Sequence, residues 1–443
     1  MKKICLTLTF VITAMIAFSC CSAEIKSKNP ILNPQKVESV ETDHDLFNIL
    51  ILGIDYTDPT LPFGTSGKHS KEKKNLTGCH TDAVLVVSVD QTDNVIRLLS
   101  LPRDTLTYVP GVNGIYKLNA AFNCADDIDE GFERACEAVS WLCGGIKIDA
   151  YAAVDVEAMI TLCDVMGGVD FKLEMTYNGT AKNGGAKRYY AGQQHMDGWD
   201  IFNYVRARRN ATVEGTDMGR TGRQRRMMIA IFKKLRDNPN LIAKVWNKAM
   251  SGDINFYTNI KNATYARLSK TLEKMNGNSI ESYVFDSVYM LGLGEWNFNF
   301  TKQDKRQEVL SKVFGINADE LPYISYKYTE WLKPKGFSTV RTVKISRNVL
   351  QYSQKLDNLT PEQQAACEKL EAAHDDAVLA FDQASDTMQS SDYSIMIEKR
   401  DLLRTTTEEA ATVLGYPEEI VWNSGLQWYR DPLINECNQI NWN

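Results

Sequence analysis

The sequence predicts an α/β fold, in which a central mixed β-sheet of α+β, sandwich-like character is flanked by helices and followed by a C-terminal helical extension. Three apolar runs rich in β-branched residues, 47–53, 83–89 and 95–101, have the length and composition of buried strands. Two segments, 129–143 and 156–166, carry apolar residues at helical spacing and end at glycine pairs. Helices with wide apolar faces packed on a sheet form the layers of such a core.

The second and third strands are predicted to form an antiparallel hairpin, because only the turn residues 90–94 separate them. The third strand ends at Pro102, which has no amide hydrogen to donate to a ladder. Arg103 is therefore expected at the edge of the sheet, and the hairpin register places Asp82 beside it. Asp55, at the end of the first strand, is a candidate for the same edge.

A second arginine-rich segment, 201–209, is interpreted as a strand. In a strand Tyr204, Arg206 and Arg208 share one face, whereas small apolar residues occupy the other. Two neighbouring arginines opposite apolar residues are not typical of a solvated edge. This segment therefore predicts an anion site.

A helix is predicted to begin at Asp217, which is suited to cap it, and to continue to about residue 235. Arg220 and Gln224 are four residues apart and hence neighbours on one helical face, with Arg223 adjacent. The positive end of the helix dipole adds to the charge of Arg220, which favours a phosphate there. Arg225 and Arg226 are expected to face solvent.

Taken together, these residues resemble the LytR-CpsA-Psr (LCP) family of cell-envelope phosphotransferases. The resemblance covers about residues 46–240, and seven matches in the family's order make it specific. The matching motifs are Gly53-Ile-Asp55, Thr81-Asp82, Ser100-Leu-Pro-Arg-Asp-Thr105, Lys117-Leu-Asn-Ala-Ala121, Gly167-Gly-Val169, Tyr204-Val-Arg-Ala-Arg208 and Asp217-Met-Gly-Arg-Thr-Gly-Arg-Gln224.

The resemblance implies a transferase that moves a glycopolymer from a polyprenyl-pyrophosphate carrier to peptidoglycan. It implies a metal, Mg²⁺ or Mn²⁺, held by Asp55 and Asp82, and catalytic roles for Arg103, Asp82 and Asp104, with Asp104 orienting arginines. The side chains implied to bind the pyrophosphate are Arg103, Arg206, Arg208, Arg220, Arg223 and Gln224. A phosphohydrolase with the same site, or a non-enzymatic protein that binds prenyl phosphates, remains an alternative.

The chemistry of the residues agrees with this implication. Carboxylate oxygens beside guanidinium groups suit Mg²⁺ and a pyrophosphate, and phosphoryl transfer needs mainly positioning and charge neutralisation. The sequence has no Walker loop, and its histidines are scattered. One departure is His80, at a position where the family usually has arginine, so that one fixed positive charge is lost.

The N-terminal residues 1–23 combine two lysines, an apolar run and small residues, as in a signal peptide or an N-terminal membrane anchor. Either reading exports the remainder, which places the protein on the extracellular face of a bacterial envelope, expected to be Gram-positive. The net charge of −6 argues against nucleic acid as a partner. The cysteines after the leader show no metal-binding spacing and are interpreted as small buried apolar residues, with a disulfide from Cys136 or Cys143 to Cys163 or Cys124 as the alternative.

The predicted domain organisation continues with a polar linker at 24–45 and an LCP domain at 46–315. Residues 316–443 fall outside the resemblance. Thr360-Pro-Glu-Gln363 is a capping box that begins a helix to about Phe381, and residues 390–414 form a second helix. A helical hairpin at about 360–414 is therefore expected, with a supporting or protein-contact role.

Overall fold

The computed structural model describes residues 42–55, 80–110, 115–125, 127–207, 217–274, 279–285, 287–291, 297–317, 341–387, 389–420 and 422. Its strands are β1 (Leu46–Asp55), β2 (His80–Asp90), β3 (Val95–Leu101), β4 (Leu106–Tyr108), β5 (Ile115–Lys117), β6 (Ala150–Asp155), β7 (Val169–Leu173), β8 (Tyr177–Thr180), β9 (Ala186–Tyr189), β10 (Gly192–Met196), β11 (Phe256–Thr258), β12 (Ile280–Val284), β13 (Ser287–Leu291) and β14 (Asn297–Thr301). Its helices are α1 (Ala120–Asn123), α2 (Ile128–Leu142), α3 (Val156–Val165), α4 (Gly198–Arg206), α5 (Asp217–Asp237), α6 (Pro239–Ala249), α7 (Asn262–Lys274), α8 (Gln303–Phe314), α9 (Arg341–Ser353), α10 (Pro361–Thr387) and α11 (Ser390–Leu414).

The central sheet has six strands in the order β11, β6, β1, β2, β3, β12. β1 pairs antiparallel with β2 and parallel with β6, while β3 pairs antiparallel with β2 and parallel with β12. The sheet is therefore mixed, as predicted, and the β2–β3 hairpin is confirmed.

Alternate residues of each strand point to opposite sides of the sheet. Apolar side chains are buried on both sides, so that both faces of the sheet are covered. In β1, Leu50, Leu52 and Ile54 enter one apolar core, whereas Ile49 packs in another on the opposite face. The first core is completed by α2 and α8, and the second by residues of α5 and α7. This layering explains why the strands read as continuous apolar runs.

A smaller layer packs on the outer side of α5. It contains the β7–β10 pair and the helices α3 and α4, whose buried side chains include Cys163, Phe171, Ile201 and Tyr204. Met227 of α5 belongs to this cluster, while Ile229 of the same helix belongs to the core under the sheet. α5 therefore lies between two apolar layers.

Residues 201–206 of the segment predicted as a strand form a helix instead, so that this prediction was wrong. Residues 198–206 form the helix α4, and Asp197 caps it by accepting a hydrogen bond from the Asp200 amide at 2.9 Å. Ile201, Phe202 and Tyr204 recur at helical spacing and are buried on one side. The alternation around Arg206 resembled a strand, but the cap before it and the packing against α5 favour a helix.

The expectation that Arg225 and Arg226 face solvent was also wrong. Both side chains are buried. Arg226 pairs with Glu174 at 2.8 Å. A buried arginine needs such partners, and these partners come from elements distant in the sequence.

The C-terminal helices include the predicted hairpin. Thr360 and Gln363 form the reciprocal hydrogen bonds of a capping box, at 3.0 and 3.2 Å, and α10 and α11 pack side by side. α10 runs to Thr387, beyond the predicted end, and α9 adds a third helix to the cluster. Near the turn of the hairpin, Phe381 and Met396 pack into the same core as α8.

Within the described ranges, no helix is both long enough and apolar enough to cross a membrane. The predicted leader at 1–23 and most of the predicted linker at 24–45 lie outside these ranges. The predicted boundary between residues 315 and 316 stays a prediction.

Candidate functional site

The ends of β1, β2 and β3 meet at one edge of the sheet, where the sequence placed its candidate residues. The β1–β2 register shifts between Gly53 and Ile54, whose partners are Ala83 and Thr81, so that Asp82 is the residue skipped by the shift. A bulge of this kind re-aims a side chain at the end of a ladder. Asp55 pairs with His80 at the same edge, and its side chain lies outside the described part.

Arg103 follows β3 on a turn that backbone hydrogen bonds fix. The Thr105 amide donates to the carbonyl of Pro102 at 3.0 Å, and the Asn119 amide donates to the carbonyl of Arg103 at 3.0 Å. Arg103 Nη1 donates a hydrogen bond to Asp82 Oδ1. The predicted contact between these two residues is therefore confirmed.

A second arginine approaches the same carboxylate from α5. Arg220 Nη1 lies 3.7 Å from Asp82 Oδ2, and the Arg220 side chain is only 5% exposed. Asp82 thus contacts one guanidinium from the end of β3 and one from the first turn of α5. A second carboxylate, that of Asp104, also lies near Arg103. It is buried, and its Oδ2 is 3.7 Å from Arg103 Nε.

Lys117 lies beside these residues, although no role was predicted for it from the sequence. Its Nζ lies 3.0 Å from Asp104 Oδ1. The only sequence signal was its place in the Lys117-Leu-Asn-Ala-Ala121 motif. Asp82, Arg103, Asp104 and Lys117 are called the strand-end half of the site below. With Arg220, three cationic side chains and the carboxylates of Asp82 and Asp104 meet here among the described side chains.

The remaining predicted residues lie on α4 and α5 and are called the helical half: Arg206, Arg220, Arg223 and Gln224. Arg206 is exposed in the last turn of α4, with its guanidinium 5.0 Å from the centre of the Phe202 ring. Arg223 is buried, and its Nε donates to the carbonyl of Tyr204 at 3.1 Å. Gln224 is half-buried. Arg208 lies outside the described residues.

A separate group of possible metal ligands lies at the opposite end of β2. Ligand atoms of His44, Asp90 and Asp93 come within 4.8 Å of one another. Arg97 Nη1 and His44 Nδ1 contact Asp90 Oδ2 at 2.6 and 2.7 Å, and the Thr92 and Asp93 amides donate to Asp90 Oδ1. Burial acts to raise the pKa of Asp90, but these hydrogen bonds outweigh it and hold that pKa below its usual value. These contacts make the Asp90 carboxylate part of a hydrogen-bonded network with Arg97 and two backbone amides.

The cysteines in the described ranges are free thiols, and their burial agrees with the prediction only in part, because Cys124 is exposed and Cys136 and Cys367 are half-buried. Cys143 and Cys163 are buried, and burial raises the pKa of each thiol to about 12. Such thiols stay protonated and unreactive at neutral pH. Cys79 and Cys437 lie outside the described residues.

The sheet and its flanking helices define an α/β protein, with arginines gathered around a carboxylate at one edge of the sheet. The chain belongs to the LytR_cpsA_psr family, whose model matches residues 14–317. TagV, a polyisoprenyl-teichoic acid–peptidoglycan teichoic acid transferase of Bacillus subtilis (strain 168), is 26% identical over 230 residues, which are 51% of this chain and 52% of TagV. TagU of Bacillus mycoides (strain KBAB4), which carries the same description, is 28% identical over 156 residues, 35% of this chain and 46% of TagU.

The chain therefore spans about half the length of the curated relatives it matches. Among solved structures, that of Bacillus subtilis TagV is similar with a TM-score of 0.48 and 22% identity, covering 61% of this chain and 98% of TagV. The structure described as TagT bound to LIIa-WTA has a TM-score of 0.46 and 19% identity, covering 66% of this chain and 96% of TagT.

Proposed function

We propose that this protein transfers a glycopolymer from a polyprenyl-pyrophosphate carrier to peptidoglycan on the outer face of a bacterial membrane. The observation that carries the proposal is the contact of Asp82 with Arg103 on one side and Arg220 on the other. The family membership and the transferase descriptions of TagV and TagU support the same reading.

A pyrophosphate fits this place for an electrostatic reason. Guanidinium groups present planar, paired donors to phosphate oxygens, and Arg103 and Arg220 reach the site from two rigid elements. Carboxylates between them keep the guanidiniums apart and oriented when no anion is bound. Arg206 and Gln224, on the adjoining helices, and Arg208 would extend the contacts along the pyrophosphate.

The donor set also fits a divalent cation. Asp82 offers hard carboxylate oxygens at a side chain that is 26% exposed, and Asp55 ends the neighbouring strand at the same edge. Asp55 and Asp82 would hold Mg²⁺ or Mn²⁺. When bound, the ion would neutralise charge on the phosphate oxygens.

The residues of this chain would act by positioning and by charge. A hydroxyl of the acceptor would attack the sugar-side phosphorus and give up its proton to water, while the bond from that phosphorus to the bridging oxygen breaks and prenyl monophosphate leaves. Arg103 would stabilise the negative charge that develops on the transferred group, because its guanidinium is already oriented by Asp82 and Asp104. Asp104 touches Arg103 and Lys117 and would act through them.

The test is release of prenyl monophosphate from a prenyl-pyrophosphate-linked sugar, measured with the full chain in detergent, with and without Mg²⁺ and peptidoglycan. We expect prenyl monophosphate to be released only when both peptidoglycan and Mg²⁺ are present. Chelation of the metal should abolish the release. Release without acceptor would make the protein a phosphohydrolase. Tight binding of the donor with no release under any condition would make it a non-enzymatic binding protein.

A further inference from the structure

The end of α4 is held by a contact that the proposed pyrophosphate site does not require. The last carbonyls of a helix have no partner within the helix and must find donors elsewhere. At the end of α4 the Ala207 amide contacts the carbonyl of Tyr204 at 3.4 Å, and Ala207 itself adopts φ −54 and ψ 125, outside the helical region. The backbone therefore leaves the helix immediately after Arg206.

Arg223 of α5 occupies this helix end. Its Nε donates to the carbonyl of Tyr204 at 3.1 Å, and its Nη2 donates to the carbonyl of Ala207. These two hydrogen bonds, called the Arg223 bridge, span the two residues between the bonded carbonyls, Val205 and Arg206. A cation at a helix C-terminus also interacts favourably with the helix dipole.

A second contact strengthens the same junction through the side chain of Tyr204. The Tyr204 hydroxyl lies 3.1 Å from Glu174 Oε2 and 3.3 Å from Arg226 Nε, and Arg226 also pairs with Glu174 at 2.8 Å. Both arginines belong to α5, so that the last turn of α4 is attached to α5 through backbone and side chain together.

The position of the Arg223 bridge along α5 connects it to the candidate site. Arg223 is one helical turn from Arg220, the residue that contacts Asp82, and residues three apart on a helix are neighbours. We propose that Arg223 is a positioning residue that sets the place of Arg206 at the end of α4, one turn of α5 away from Arg220. This assignment rests on the proposed function and replaces direct contact with the pyrophosphate as the role of Arg223.

The chain offers a matched control in Lys234, which lies further along α5. Lys234 Nζ lies 3.1 Å from the carbonyl of Gly167 and 2.6 Å from that of Gly168, just after the end of α3. It therefore attaches another helix end to α5 by the same chemistry. It lies eleven residues beyond Arg223, about 16 Å along the helix axis.

The experiment is a double-mutant cycle on the Kd for farnesyl pyrophosphate, which serves as the probe. The Kd is measured by calorimetry on the full chain in detergent. The variants are Arg223→Ala, Arg206→Ala, their combination, Arg223→Lys and Lys234→Ala. If Arg223 acts through Arg206, each single variant weakens binding by about 10-fold and the double variant by little more, instead of about 100-fold. Arg223→Lys keeps the charge and should recover part of the loss.

The control separates positioning from stability. Lys234→Ala should lower the melting temperature about as much as Arg223→Ala and leave the Kd for the probe unchanged. Hydrogen exchange of the Ala207 amide should become faster in Arg223→Ala and stay unchanged in Lys234→Ala. If Arg223→Ala does not fold, the comparison is made with Arg223→Lys and the Arg223→Lys, Arg206→Ala combination.

Three results would overturn the assignment. If the loss of affinity in the double variant equals the product of the two single losses, Arg223 and Arg206 act independently. If the Kd is unchanged in Arg223→Ala, the Arg223 bridge contributes to stability only. Either result would leave the proposed function standing, because the wild-type chain still binds. A wild-type chain that does not bind farnesyl pyrophosphate would instead overturn the proposed function and this assignment with it.

Discussion

The strand-end half and the helical half of the site hold their arginines by different means. Arg103 lies on a turn fixed by backbone hydrogen bonds, and a carboxylate from the neighbouring strand contacts its guanidinium. Arg206 ends a short helix, and its guanidinium lies over the Phe202 ring. In the strand-end half, a carboxylate orients the guanidinium of Arg103 through an ion pair. In the helical half, packing and helix capping set the position of Arg206. Changes in the first half should therefore reduce turnover, and changes in the second should mainly weaken donor binding.

The largest effect is expected for Arg103→Ala. Removing an oriented charge that stabilises the transition state costs on the order of 100-fold or more in turnover. The measurement is the rate of prenyl monophosphate release at saturating donor. Arg267→Ala is the control, because this exposed arginine lies over Phe47 at the other end of β1. A rate within twofold of wild type in Arg103→Ala would exclude the role given to this residue.

Lys117→Met tests whether the strand-end half works as a charge network. Asp104 is buried, and the loss of a donor to a buried carboxylate costs about 1–3 kcal/mol. We expect turnover to fall roughly 10-fold, because Asp104 would then orient Arg103 less well.

The matched control for that change is Lys147→Met. Lys147 forms the same kind of pair with Asp149 at 2.8 Å, but the lysine is 83% exposed. Exposed pairs contribute little, so that this variant should keep wild-type turnover. Equal losses in the two variants would mean that the network at Asp104 has no special role.

The sequence predicted the contact between Asp82 and Arg103 because few registers were available to the hairpin. A five-residue turn and a proline fix how β2 and β3 align, so that Asp82 and Arg103 had to meet. The capping box at Thr360 predicted α10 for the same reason, since its signal is local. These are cases where neighbours in the sequence decide the structure.

In the helical half, α4 was misread although its cap is local, and the burial of Arg226 could not be predicted because its partner is distant in the sequence. Tyr204-Val-Arg-Ala-Arg208 alternates like a strand, and the helix is decided by the Asp197 cap ahead of it and by packing against α5. The burial of Arg226 depends on Glu174, which no local pattern links to it. Lys117 was missed because the contact with Asp104 crosses from one segment to another.

Asp197→Ala sharpens the comparison by weakening the helical half alone. Loss of an N-cap typically costs about 1 kcal/mol, and a less stable α4 should hold Arg206 less firmly. We expect KM for the donor to rise a few-fold with little change in kcat. Asp127→Ala removes an equivalent cap from α2, where Asp127 accepts from the Glu130 amide at 2.9 Å. The control should lose similar stability and keep the wild-type KM, and a shared rise in KM would contradict the local explanation.

The same cap predicts a pH dependence at the acid end. Burial acts to raise the pKa of Asp197, but hydrogen bonds from the Asp200 amide and Lys182 outweigh it and lower that pKa below 3.8. A carboxyl group whose pKa is lower in the folded state stabilises the fold above its unfolded pKa, and that contribution is lost as pH falls through the folded value. The stability difference between wild type and Asp197→Ala should therefore shrink below about pH 4.

The smallest effect is expected outside the site, at the buried contact between His374 Nδ1 and Ser346 Oγ, 2.7 Å apart, which joins α10 to α9. Burial, and to a lesser degree Arg347, lowers the pKa of His374 below 6.5. The unfolded chain then binds the proton more readily, so that stability is complete above about pH 6.5 and falls as pH drops below it. The slope cannot exceed about 1.4 kcal/mol per pH unit. Chemical denaturation between pH 7.5 and 5 should show this loss in wild type and a shallower slope in His374→Gln. Equal slopes in the two proteins would assign the acid sensitivity to other groups.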